Sequence, residues 1–161
     1  MMSCLARVRD AVFLAVTLGL ALLAGCAPGP VPPPEESGEL VVATRNSPTT
    51  YFLDAEEQSA GFEHDLVTMF AERHGWTVRF VVADTLEALF ETMADGRAHL
   101  AAAGLTASDE RRARLRFGPN YGQVKEWVVC RQGGPRPDRL EDLIGLRLEV
   151  VAGSSHADRL R

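Results

Sequence analysis

The chain has 161 residues, of which 46% are hydrophobic and 24% charged, and its formal net charge is -5. An acidic chain of this kind argues against nucleic acid as a partner. Its three cysteines, Cys4, Cys26 and Cys130, contain no C-x-x-C pair, and the histidines His64, His74 and His99 show no metal spacing, so neither a metal site nor a cofactor is expected.

The first 25 residues read as a targeting segment. Arg7 and Arg9 form a short basic region, and the apolar run AVFLAVTLGLALLA (residues 11–24) follows. That run is shorter than the roughly 20 apolar residues a permanent spanning helix needs. The stretch LAGC (residues 23–26) resembles the lipobox of bacterial lipoproteins. The resemblance implies cleavage before Cys26 and acylation there, with the chain held to a membrane by its lipid chains at about 0.8 kcal/mol per buried CH₂. Ala27, in place of an aspartate, implies the outer membrane. The plain alternative is that Cys26 is an ordinary residue just past a secretory cleavage site. Residues 26–38 read as a Pro-rich tether, because the five prolines of APGPVPPPEESG favour an extended chain and Glu35 and Glu36 keep it solvated. Loss of residues 1–25 leaves 15 basic against 21 acidic side chains, a balance of -6. Cys130 then stands alone, without a partner for an internal disulfide.

From Gly38 the pattern alternates strand and helix. ELVVAT (39–44) is a short β-branched run bounded by turn residues, hence a buried strand. FEHDLVTMFAERHGW (62–76) reads as a helix, with Phe62, Leu66 and Phe70 at i, i+4 and i+8, Val67, Met69 and Ala71 beside them, and acidic residues in its first turn. TVRFVVA (77–83) is a second strand and TLEALFETMADG (85–96) a second amphipathic helix. HLAAAG (99–104) and VKEWVVC (124–130) are the next strands, the latter burying Cys130 as a small apolar residue. A Gly/Pro connection, a helical turn (140–144) and a strand LRLEVVAG (146–153) follow, and SSHADRLR begins a helix. A domain rarely ends as it begins an element, so the chain is expected to be a fragment. The β-α-β-α-β order implies an α/β fold with parallel strands and right-handed crossovers. Ligands in such sheets sit beyond the carboxyl ends of the strands, where the loops RNSPTTYF and GLTASDER fall.

G-x-L-x-V-A-T at 38–44, Gly61-Phe62 with Asp65-Leu66, Gly104-Leu105-Thr106 with Asp109-Glu110-Arg111, Phe117 and Pro119-x-Tyr121 together resemble the family 3 solute-binding proteins. DLIGLRLEVVAGSS matches that family's entry into its second lobe. The resemblance implies a periplasmic-binding-protein-like class II clamshell: lobe one nearly complete at 39–131, then at 132–161 a connection and a truncated start of lobe two. GELVVATRNSPTTYF, AAAGLTASDERR, FGPNYGQV and RPDRLEDLIGLRLEVVAGSSHADRL are similar to the N-terminal domain of the membrane-bound lytic murein transglycosylase F family. That similarity implies a non-catalytic, regulatory domain for an amino-acid-like or muropeptide ligand. It places peptidoglycan cleavage in a domain beyond residue 161 and the protein in the periplasm. The alternatives are an amino-acid-binding lipoprotein of an ABC importer and a cyclohexadienyl dehydratase-like enzyme.

Within the resemblance, Arg111 is the candidate for pairing with a ligand carboxylate, because its planar fork matches that group and stays charged. The competing reading is a surface ion pair with Asp109 or Glu110. Gly104 would admit a ligand closely and Thr106 would offer a hydroxyl and an N–H, unless both are simply turn residues. Tyr51 or Phe52 would stack on a ligand, or else lid the core. Ser154 and Ser155 stand at a helix start, where free N–H groups bind anions and where N-capping alone accounts for one serine. Arg112, Arg114 and Arg116 read as a solvated face. Ser154, Ser155 and His156 lack the G-x-S-x-G nucleophile elbow, and no catalytic residue is expected in the chain.

Overall fold

The computed structural model describes residues 29–160, so the expected signal peptide and the expected acylation of Cys26 lie outside the described residues. Three strands, β1 (Glu39–Thr44), β4 (Thr77–Val82) and β5 (Leu100–Ala101), form a parallel sheet in the order β4-β1-β5. Two shorter strands, β2 (Phe52–Leu53) and β3 (Ser59–Ala60), form an antiparallel hairpin between β1 and the first long helix. The third strand is shorter than 99–104, because Ala102 donates the last ladder bond to Ala43 and the chain then turns away. β1 occupies the centre because it is apolar on both faces. Leu40 and Val42 enter one cluster with Val67, Ala71 and Ala102, and Val41 and Ala43 enter the other with Leu89, Ala98 and Ala103. The period of two along one strand therefore builds two cores.

Helices α2 (Phe62–His74) and α3 (Leu86–Ala94) supply the covers. The buried stripe of α2 is Glu63, Val67 and Ala71, while Phe62, Leu66, Met69 and Phe70 are exposed. The expected Phe62–Leu66–Phe70 face is thus about 100° away from the one that packs, one residue along a 3.6-residue turn. Space explains the choice: Ala71 and Val67 let the helix lie close to Leu40 and Val42. Gly61 makes the approach at the helix start. It sits at φ 134°, and a Cβ there would lie 2.4 Å from the Thr50 carbonyl oxygen, which accepts the N–H of His64. Helix α3 is capped by Thr85, whose hydroxyl accepts the Ala88 N–H at 3.1 Å.

The Pro-rich stretch is not a free tether over its whole length. Pro34–Ser37 form one helical turn, α1, with proline where a helix start tolerates it and Glu35 and Glu36 in the first turn. Upstream of it, the Val31 N–H donates to the Gly96 carbonyl at 2.8 Å, and Val31 packs on the core cluster around Leu89. His99 completes the attachment: its Nδ1 accepts the Val41 N–H and its Nε2 donates to the Pro32 carbonyl, both at 2.9 Å. Prolines lack donors but keep acceptors, so a neutral imidazole with its proton on Nε2 joins the two backbones.

Beyond the second core the pattern fails differently. VKEWVVC and LRLEVVAG form no strand; Val124, Trp127 and Val129 are 88, 81 and 93% exposed, and Cys130 is exposed rather than buried. Among the described residues neither stretch has a neighbouring strand, and an unpaired ladder leaves its backbone groups to water. The expected helical turn is present as a 3-10 turn at Leu140–Leu143, where the Asp142 carboxylate accepts the N–H groups of Asp138 and Arg139. Two short helices remain, α4 (Asp109–Arg112) and α5 (Ser155–Arg159). No described helix is long and apolar enough to cross a membrane.

Candidate functional site

After β5 the chain reverses at Gly104, whose φ of 62° lies in the left-handed region that glycine tolerates. A side chain there would meet only Thr50 at 3.5 Å, so the backbone angle, not space, selects glycine. The Gly104 N–H donates to Glu63 Oε2 at 2.8 Å, and Tyr121 donates its hydroxyl to Glu63 Oε1. The Tyr121 hydroxyl is held well above the ordinary phenol range, first by desolvation and then by its hydrogen bond to Glu63 and that group's charge.

Ser108 opens α4, its hydroxyl accepting the Arg111 N–H at 3.4 Å, and this short helix turns Arg111 inward. Arg111 is only 7% exposed. Its guanidinium lies 5.4 Å above the centre of the Phe90 ring, donates from Nη1 to the Thr106 carbonyl at 3.2 Å, and donates from Nη2 to the Gly153 carbonyl at 2.9 Å. From the other side, Ser155 donates its hydroxyl to Thr106 Oγ1 at 3.2 Å. Ser154 caps α5 by accepting the Ala157 N–H, and both serines are buried.

Thr106 and Arg111 from one loop and Ser155 from a distant stretch therefore meet, with Ser154 beside them. Arg111 makes neither expected surface pair: its partners are carbonyls. Gly104 is adjacent, but its N–H is taken by Glu63. Tyr51 is elsewhere, packed 5.1 Å from Phe80 and 6.0 Å from His64 as part of the wall over α2 and β4; Phe52 lies in the hairpin. Arg112, Arg114 and Arg116 are exposed as expected. Glu63 was missed, because it reads as a helix-start acid. The signal was present in its i, i+4, i+8 relation to Val67 and Ala71.

An open groove of about 880 Å³ runs beside β5; Glu63, Gly104, Thr106 and Tyr121 line it, whereas Arg111 and the two serines do not. The arginine cluster is thus a closed contact at the groove's margin. One further polar atom is notable at the carboxyl end of β1: Thr44 Oγ1 is buried without a hydrogen-bond partner among the described residues. Among those residues no group of His, Cys, Asp or Glu side chains is placed to hold a metal ion. Chemically, a guanidinium has five N–H donors, and two carbonyl bonds leave others for a planar anion.

Residues 40–153 match the model of the bacterial extracellular solute-binding proteins, family 3. The chain belongs to that family. Among curated relatives of this solute-binding chain, a membrane-bound lytic murein transglycosylase F of Maricaulis maris is 45% identical over 152 residues, covering 89% of this chain and 33% of the relative. Membrane-bound lytic murein transglycosylase F 1 of Alkalilimnicola ehrlichii is 48% identical over 126 residues, covering 78% and 25% respectively. The chain thus spans about a third or less of the length of these relatives. The arginine-bound domain 1 of TmArgBP superposes with a TM-score of 0.52 at 23% identity, over 56% of this chain and 72% of that one. An ancestral cyclohexadienyl dehydratase gives 0.52 at 26% identity, over 55% and 37%. The parallel lobe is therefore of the periplasmic-binding-protein-like class II architecture.

Proposed function

We propose that the chain is a non-catalytic, ligand-binding regulatory domain of a peptidoglycan lytic transglycosylase. The observation that carries the reading is the buried Arg111 fork beside Thr106 and Ser155, in a chain 45% identical to a protein of that class. A ligand carboxylate, from an amino acid or a muropeptide stem, replaces the Gly153 carbonyl as acceptor on Arg111 and takes the hydroxyls of Thr106 and Ser155. Phe90 keeps the guanidinium plane in place meanwhile, by a cation–π contact. On this reading residues 39–131 are lobe one and 132–161 open the second lobe. Peptidoglycan cleavage belongs to the part of the relatives that this chain does not span. Acylated Cys26 anchors the protein in the periplasm, at the outer membrane.

Calorimetry on the full-length protein with amino acids and muropeptides tests the reading. A carboxylate-bearing ligand is expected to bind, and Arg111→Ala to weaken it about 10–100-fold, the range of one charged hydrogen-bonded contact. Unchanged affinity in a folded Arg111→Ala protein would defeat the carboxylate anchor. Residues 1–161 alone are expected to bind weakly or not at all.

A further inference from the structure

The attachment of the proline segment has a direction. Its contacts, Gly96 and His99, lie in the turn before β5, and α1 leads into the start of β1. The segment therefore runs across the end of the sheet where the parallel strands begin, opposite the end that carries Thr106 and Arg111. The fit is close. A Cβ on Gly96 would lie 2.9 Å from Pro30 Cβ, and the φ of 66° at Gly96 also favours glycine. Four points hold residues 30–32: the Pro30–Gly96 contact, the Val31 N–H on Gly96, the Val31 side chain in the core, and the His99 ring on Pro32.

We propose that this clip seats the strand-start end of the lobe toward the phospholipid headgroups and leaves the ligand cleft facing away from the bilayer. The proposal rests on the acylation of Cys26 argued above. With residues 30–32 clipped, three residues separate the acylated cysteine from Pro30, and the four Cα–Cα steps reach at most about 14 Å. If the clip opens and α1 unwinds with it, the leash extends to Gly38 and lengthens to about 43 Å, so the lobe tumbles over the surface. The strands themselves span about 20 Å from one end to the other, so the short leash keeps the two ends at distinguishable heights and the long one does not. Adhesion is not required. The strand-start end carries Glu35, Glu36, Glu39, Glu72 and Asp95 against Arg73, Arg79 and Arg97, of which Arg79 pairs with Glu39 and Arg97 with Asp95. A surface of that balance has no attraction to an anionic headgroup layer, and the clip alone sets the height.

The test uses the full-length protein, purified from membranes in a Cys130→Ser background and reconstituted into phosphatidylethanolamine–phosphatidylglycerol vesicles with headgroup-labelled acceptor lipid. A donor dye is placed either at Asp95→Cys, on the strand-start end, or at Asp84→Cys, after β4 on the cleft end; both positions are exposed. Energy transfer is expected to be several-fold greater from position 95 than from 84. His99→Ala should narrow that difference, and His99→Gln, whose amide also donates and accepts, should restore part of it. Equal transfer from the two positions, or greater transfer from 84, overturns the proposal while leaving the anchor intact, provided mass spectrometry finds acylated Cys26. An unacylated Cys26 overturns the anchor and the proposal together.

Discussion

The stretches ELVVAT and KEWVVC are close in composition and opposite in fate. The first, β1, has β4 on one side and β5 on the other, and both its faces are covered by helices. The second lies in an irregular, exposed path with no strand beside it among the described residues. Apolar β-branched side chains make a segment fit for a sheet, but the ladder needs a neighbour to receive its N–H and C=O groups. Strand propensity is a property of a place in a sheet more than of a sequence.

Stability should follow that contrast. Leu89, fully buried in the cluster around Val41, should lower stability by about 3 kcal/mol when changed to Ala, read as a lower urea midpoint. Gly61→Ala should remove about 2 kcal/mol, through the left-handed φ and the 2.4 Å approach to the Thr50 carbonyl, in the same assay. A smaller effect is expected where the two regions touch, at Tyr121 on Glu63. Above pH about 10 the unfolded chain releases the Tyr121 proton while the folded chain retains it. The unfolded state then binds fewer protons, and stability falls as pH rises. An alkaline unfolding series should show a shallower decline for Tyr121→Phe than for the parent. Smallest of all, Val129→Ser should shift the urea midpoint by no more than about 0.5 kcal/mol, since Val129 is almost wholly exposed. A loss at Val129 equal to that at Leu89 would break the comparison between the two regions.

The parallel sheet was legible because β1, β4 and the two helices carry their own periods, and each has its partner within the described chain. Thr106 and Arg111 were legible as a pair because one loop holds both. Their meeting with Ser155 was not legible, since 49 residues separate Ser155 from Thr106 and Ser155 reads only as part of a helix start. Two things were hidden for physical reasons. The packing face of α2 was masked by larger apolar residues next to it, because closeness to the sheet favours Ala71 and Val67 over Phe70 and Leu66. The docking of residues 30–32 was masked by composition. Prolines describe what a chain cannot donate, and only the position of His99 before β5 reveals the donor that reaches the Pro32 carbonyl.

That ring has a kinetic consequence. The Val41 amide is closed by an imidazole nitrogen instead of a peptide carbonyl, so a rotation about one side-chain bond uncovers it without parting any strands. Its deuterium exchange should therefore keep time with the lifting of the N-terminal segment, while the Ala102 amide, bonded to the Ala43 carbonyl, keeps time with the sheet. Two amides along the β1–β5 seam thus act as separate clocks, one for the N-terminal segment and one for the sheet it packs on.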